Sequence, residues 1–299
     1  MNNTFLNQPP KGNQMENANL TRSIVNKTPS SFSAVLSNGM HPPVPVKRLP
    51  QAPAPIPLSL FNFEKHAPKQ NHLLASLPDA EYQKLLPYLE LEQMPANKVL
   101  FEVNSDLQYV YFLADSIVSL QYETQDGASA ETAVIGREGL VGVTGLMSDR
   151  PSQCRAIVKS AGYGYRMKAS VLSVAFFRSP LLQKVLLRYT QALMLQVSQM
   201  AVCNRHHSVV QQLCRLLLLS LDRSTGSELF MKQEAIAAML GVRRESVTAA
   251  AAKLQDEGLI RYQRGHITIC NRAGLEKRVC ECYAVVKKEY DLLPCSCAH

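Results

Sequence analysis

The spacing of apolar positions changes period three times along this chain. In NHLLASLPDAEYQKLLPYLELEQM, starting at Asn71, residues Leu73, Leu74, Leu77, Tyr82, Leu85, Leu86 and Leu89 recur at helical spacing. Asp79 stands where it would cap a second helix. From Lys98 the runs shorten and become β-branched or aromatic: VLFEV, YVYFLA, IVSLQYE, TAVIG, CRAIVKSAGYGYRM and VLSVAF. Turn-like stretches separate them at Asn104-Ser105-Asp106, Ala114-Asp115-Ser116, Gln125-Asp126-Gly127 and Ser148-Asp149-Arg150-Pro151. Many short strands at that interval predict a β-barrel or roll, holding either a core or one small ligand.

From Pro180 the period is helical again. Leu182, Leu186, Tyr189, Leu193, Gln196, Met200 and Cys203 alternate by four and three, the seam of a two-stranded coiled coil between two copies. The competing reading packs this helix on its own roll. Asn204-Arg205-His206-His207 then reads as a polar hinge with solvent-exposed histidines, because neighbours on a helix point in different directions.

After an amphipathic helix over 208–221 and a short strand at 228–231, the chain reads QEAIAAMLGVRRESVTAAAA from Gln233. Ile236, Ala237, Leu240 and Val247 predict the contact between two short helices that cross at Gly241, where positive φ is tolerated. Arg243, Arg244, Glu245, Thr248 and Ala249 are left outward. Arginine can give two hydrogen bonds to guanine and glutamate can accept one from cytosine, so the second helix is predicted to read a DNA major groove. An ordinary αα-corner is the alternative. LIRYQ and HITIC alternate around Arg264-Gly265 as a tight hairpin, and a terminal helix is expected over 272–290.

Composition adds a boundary. Residues 1–70 carry eleven of the seventeen prolines and much Asn, Gln, Ser and Thr, which predicts a disordered, Pro-rich extension. Net charge is +8, of which +5 lies in 1–70, none in 71–206 and +3 in 207–299. The folded part is therefore only mildly basic, and DNA binding would rest on the placement of a few arginines. There is no signal pattern and no run of eighteen apolar residues, so a cytoplasmic protein with mostly reduced thiols and no membrane partner is expected.

In that order, β-roll, long helix and winged helix-turn-helix, the chain resembles the cyclic-AMP receptor protein and Fnr (Crp/Fnr) family over about residues 71–292. The pieces that carry the resemblance are NHLLASLP, AVIGREGLVG and LGVRRESVTAAAAKLQDEGLIRYQRGHITI. It implies an α+β protein: a cyclic-nucleotide-binding-like roll over 71–180, a dimerisation helix and hinge over 181–206, and a winged helix-turn-helix over 207–299. It also implies a bacterial transcription regulator acting as a homodimer on double-stranded DNA, with RNA polymerase as a further partner. In the family's best-known members an Arg-Glu pair and an Arg four places after that Glu contact bases. The pair stands here as Arg244 and Glu245, but the third position is Ala249, so the half-site should differ. Arg243 replaces a small hydroxyl residue and is placed to meet a phosphate.

The roll departs further. Where cyclic-nucleotide binders carry Gly-Glu and then Arg-Ser or Arg-Thr, this chain has Gly142-Val143-Thr144 and Pro151-Ser152-Gln153-Cys154. A buried phosphate without a matched cation is costly, so cyclic AMP is not the expected effector and no cofactor is assigned. An Fnr-like iron–sulfur cluster is excluded by the absence of cysteine before Cys154. Cys280, Cys282, Cys295 and Cys297 are candidates for a metal or thiol-redox sensor at the C-terminus, whereas Cys154, Cys203, Cys214 and Cys270 read as core. No catalytic set appears, so an enzyme is not expected.

Overall fold

Asn71 shows how the folded region starts. In a computed structural model that describes residues 67–125, 129–148, 150–224 and 228–293, this side chain is fully buried and works in two directions. Its Oδ1 accepts from the amides of Leu73 and Leu74, which caps α1 (His72–Ser76). Its Nδ2 donates to the carbonyls of Leu113 and Gly139 at 2.9 and 2.8 Å, pinning that helix to the roll. The predicted Pro-rich extension lies, for 1–66, outside the described residues.

The helix α2 (Asp79–Leu85) follows, with Pro78 rather than Asp79 at its cap position. Asp79 sits in the first turn and pairs with Lys69 at 2.7 Å. The helical run also stops sooner than its leucine spacing predicts. After a single tight turn at Leu86–Tyr88, the segment Glu90–Met94 is strand β1.

The remaining strands of the roll are β2 (Val99–Phe101), β3 (Tyr109–Leu113), β4 (Ile117–Glu123), β5 (Ser129–Ile135), β6 (Leu140–Val141), β7 (Arg155–Ser160) and β8 (Gly162–Lys168). They form two antiparallel four-stranded sheets, ordered β1-β8-β3-β6 and β2-β7-β4-β5. Between them Val110, Phe112, Leu140, Val158 and Met167 belong to one apolar cluster. VLSVAF, expected as a strand, lies in helix α3 (Ala169–Arg178), where Val171 and Leu172 are buried and Phe177 is exposed. Six residues cannot distinguish the two periods when two adjacent positions are buried.

Ser179 caps α4 (Pro180–His206), a helix of 27 residues. The expected dimer seam is occupied within the chain. Leu182, Leu186, Tyr189 and Leu193 are buried in the roll's core, Met200 is buried as well, and the Tyr189 hydroxyl donates to the Leu140 carbonyl at 2.9 Å. The large apolar residues that α4 leaves exposed are Leu181, Leu187, Met194, Val197 and Val202. No single helix among the described residues is long and apolar enough to cross a membrane.

A capping box at Ser208 and Gln211 opens α5 (Val209–Arg223). Strand β9 (Glu228–Phe230), helices α6 (Gln233–Leu240) and α7 (Arg244–Asp256), and strands β10 (Ile260–Gln263) and β11 (His266–Ile269) follow. The three strands form a small antiparallel sheet, β10-β11-β9. The expected single terminal helix is broken into α8 (Arg272–Arg278) and α9 (Glu281–Asp291), with Val279 and Cys280 extended between them.

The end of α5 is fastened to the roll by a buried ion pair. Arg223 Nε donates to Glu138 at 2.6 Å, Nη1 to the Leu219 carbonyl at 2.9 Å and Nη2 to Gln196 of α4 at 2.8 Å.

Candidate nucleic-acid interface

Gly241 makes the corner between α6 and α7. Its φ of 63° lies in the left-handed region, and the next amide, from Val242, returns to the Ala237 carbonyl at 3.1 Å. That geometry closes α6 and turns the chain, as glycine at such a position allows. Ile236, Ala237 and Leu240 of α6 and Val247, Ala250 and Leu254 of α7 are buried in one cluster with the leucines of α5. Of the five predicted helix-turn-helix core positions, Ile236, Ala237, Leu240 and Val247 are buried, and Gly241 is exposed at the corner with its positive φ.

The outer face of α7 is open. Arg243, Arg244, Glu245, Thr248 and Ala249 are all exposed. Arg243 is the exposed cap residue, and its guanidinium, which carries donors only, cannot accept from the helix amides as a capping side chain does. Arg244 forms an ion pair with Glu234 across the helix crossing, at 3.0 Å, and both side chains remain mostly exposed. Thr248 donates to Gln233 at 2.9 Å. The first helix therefore holds two of the outward residues of the second.

The hairpin beside them is fixed to α7 and to the segment that leads into α6. Arg264 (φ 50°) and Gly265 (φ 87°) form its two-residue turn, with both central φ values positive as the tight hairpin turn demands. The Tyr262 amide donates to Gln255 of α7 at 2.7 Å, and its hydroxyl donates to the Met231 carbonyl at 2.7 Å. Burial raises the Tyr262 hydroxyl's pKa, and the nearby Glu234 carboxylate adds to that, so it remains a donor at neutral pH. Arg264 is exposed at the tip, next to Arg261.

Residues 211–278 match the model of the Crp-like helix-turn-helix domain. Over 200 residues the chain is 24% identical to the global nitrogen regulator of Synechococcus elongatus, covering 64% of this chain and 90% of that protein. Residues 211–278 therefore carry a Crp-like helix-turn-helix domain. Two solved structures share the fold of this chain. FixK2 from Bradyrhizobium japonicum aligns with a TM-score of 0.56 at 17% identity, over 64% of this chain and 98% of its own. The c-di-GMP responsive global regulator CLP of Xanthomonas campestris aligns at 0.53 and 17%, over 64% and 99%.

The cysteines are distributed differently from the sequence reading. Cys295 and Cys297 lie outside the described residues. Cys280 and Cys282 are buried, and they meet Cys203 and His207, two residues read as core and as solvent-exposed respectively. His207 is half-buried, with Nδ1 3.5 Å from Cys282 Sγ, while its neighbour His206 is exposed. Burial pushes the Cys203 thiol up to about 12 and raises that of Cys280. The signal in the sequence was the four-residue interval from Cys203 to His207, which puts both on one face of α4. Cys154 and Cys214 are buried as expected, but Cys270 is exposed.

Proposed function

We propose that two copies of this chain bind a two-fold symmetric DNA site, each inserting the start of α7 into a major groove. The observation that carries this reading is the exposed row Arg243, Arg244, Glu245 and Thr248, set on a helix whose other side is buried and whose entry is fixed by Gly241. Arg244 and Glu245 would read a guanine and a cytosine, Ala249 could contact a thymine methyl, and Arg243 and Arg264 would meet phosphates. Half-sites would lie about 34 Å apart, one turn of the duplex. Contact with RNA polymerase is taken from the family resemblance alone.

Arg244→Ala is expected to weaken binding to the selected site by about 1–3 kcal/mol and to relax preference at one base pair. Arg243→Ala should weaken all sequences alike and reduce the salt slope by about one unit. Binding selection followed by salt-dependent titration checks both. Equal losses on specific and random DNA for both variants would overturn the assignment.

The pairing of copies is assigned to the outward side of α4. Leu187, Met194, Val197 and Ala201 follow intervals of seven, three and four, and all four are exposed. Leu187→Glu combined with Met194→Glu is expected to give a folded monomer in sedimentation that has lost affinity for the two-fold site but keeps its weak half-site binding. A wild-type monomer, or a double variant that still dimerises, would overturn this interface.

The roll does not favour a cyclic nucleotide. Arg150 is exposed and Arg155 pairs with Glu102 at 3.2 Å, while Ser152 donates to the Cys154 carbonyl at 2.7 Å.

A further inference from the structure

Three thiols and an imidazole converge where the long helix ends. Cys203 and His207 lie one turn apart at the C-terminus of α4, and Cys280 and Cys282 flank the first residue of α9. Their donor atoms all lie within 4.8 Å of one another. Cys203 Sγ is 3.6 Å from Cys280 Sγ, and Cys282 Sγ is 3.5 Å from His207 Nδ1. We propose that Cys203, His207, Cys280 and Cys282 form a closed Cys3His zinc site that fastens the end of α4 to the start of α9.

The distances select the metal chemistry. Zinc–thiolate bonds of about 2.3 Å in a tetrahedron put ligand atoms roughly 3.8 Å apart, the scale found here. An iron–sulfur cube holds its thiolates at the corners of a larger body, so a single ion is the fit. Soft thiolates with one imidazole select zinc over calcium or magnesium. Four protein donors leave no open position, which makes the site structural.

The surroundings match a metal-bound histidine. With Nδ1 turned to the thiols, His207 Nε2 lies 3.3 Å from the Glu281 carboxylate, the partner that orients a ligating imidazole and raises its basicity. Gln199 Nε2 donates to Cys282 Sγ at 3.2 Å. Gln212 Nε2 donates to the His207 carbonyl at 2.9 Å and reaches the Cys203 carbonyl at 3.5 Å, holding the end of α4 in shape. Binding replaces three thiol protons, which pass to solvent, and leaves one net negative charge on the centre. Arg215 is buried, favours the Cys203 thiolate electrostatically, and has an Nε with no hydrogen-bond partner among the described residues.

The consequence lies at the hinge. His207 is the last residue before the cap that opens α5, so zinc would tie the long helix directly to the final helix behind the winged helix-turn-helix. The break at Val279–Cys280, unexpected in the sequence, turns both terminal cysteines toward α4.

The full chain, purified under reducing conditions and loaded with zinc before desalting, should carry one zinc per subunit. Cobalt(II) substitution should give the visible bands of a tetrahedral site and the thiolate charge-transfer bands of three sulfur ligands. That readout on unmodified protein stands even where a variant fails to fold. Cys203→Ser and Cys282→Ser should lose the metal, while Cys270→Ser and the double change Cys295→Ser with Cys297→Ser should keep it. Glu281→Ala should retain the site with zinc affinity lowered about 10–100-fold. Sub-stoichiometric metal, iron with acid-labile sulfide, a Cys203–Cys280 disulfide in the reduced preparation, or metal lost only with Cys295 and Cys297 would each overturn the assignment. No step uses DNA, so this result and the DNA-reading assignment stand or fall separately.

Discussion

Replacing Arg223 by methionine is expected to lower the unfolding free energy by about 3–5 kcal/mol, the cost of leaving a buried ion without its partner. The side chain is 3% exposed and joins four parts of the molecule. It extends from α5 to Glu138 in the turn between β5 and β6 and to Gln196 of α4, with its guanidinium 5.5 Å from the Tyr290 ring of α9. Without it Glu138 keeps one hydrogen bond, from the Gly136 amide. Denaturation by urea, followed by circular dichroism, measures the loss. Adding Glu138→Gln to the variant removes the stranded charge and should recover part of the stability. A loss below about 1 kcal/mol would mean that water reaches the pair after all.

Ile236→Ala is expected to destabilise by about 2–5 kcal/mol, because a fully buried branched side chain leaves a cavity between α6 and α7. Its effect on DNA binding should follow folding: affinity falls for every sequence at temperatures where the domain unfolds and is little changed well below them. Arg244→Ala should do the opposite, leaving stability within about 0.5 kcal/mol as an exposed substitution does, while changing sequence preference. Thermal melts and DNA titrations on the two variants separate a residue that supports the reading helix from one that reads. Lost preference without lost stability in Ile236→Ala would contradict the packing described for this crossing.

The helix pair was legible because its constraints are local. Gly241 at the corner, Ala237 at the crossing and the outward arginines all lie within one short stretch. Regions that mislead in the sequence depend on contacts from far along the chain. The seam of α4 has a real heptad, yet Leu186 and Tyr189 satisfy it against the roll, because periodicity reports that a face is covered and not by what. β1 was hidden behind Leu85, Leu86 and Leu89, whose spacing continues a helix that the turn at Leu86–Tyr88 ends. VLSVAF was too short for its period to decide. The thiol cluster joins residues more than seventy positions apart through a break in the last helix; Cys280 and Cys282 stood out in the sequence, but Cys203 read as core and His207 as exposed, because nothing local marks them as neighbours of that pair.

On the proposed reading, the ion pair between Arg244 and Glu234 bears on how sharply DNA sites would be chosen. An arginine that meets the wrong base usually remains desolvated and unmatched, and that frustration is what penalises the mismatch. Here Arg244 has a fallback partner 3.0 Å away on the neighbouring helix. Over a mismatched pair it can swing back to Glu234 and escape much of the penalty. Discrimination at that base pair is thereby softened by up to the worth of an exposed pair, about 0–1 kcal/mol. If Arg244 reads a base as proposed, removing the Glu234 carboxylate would make the choice at that position more exacting.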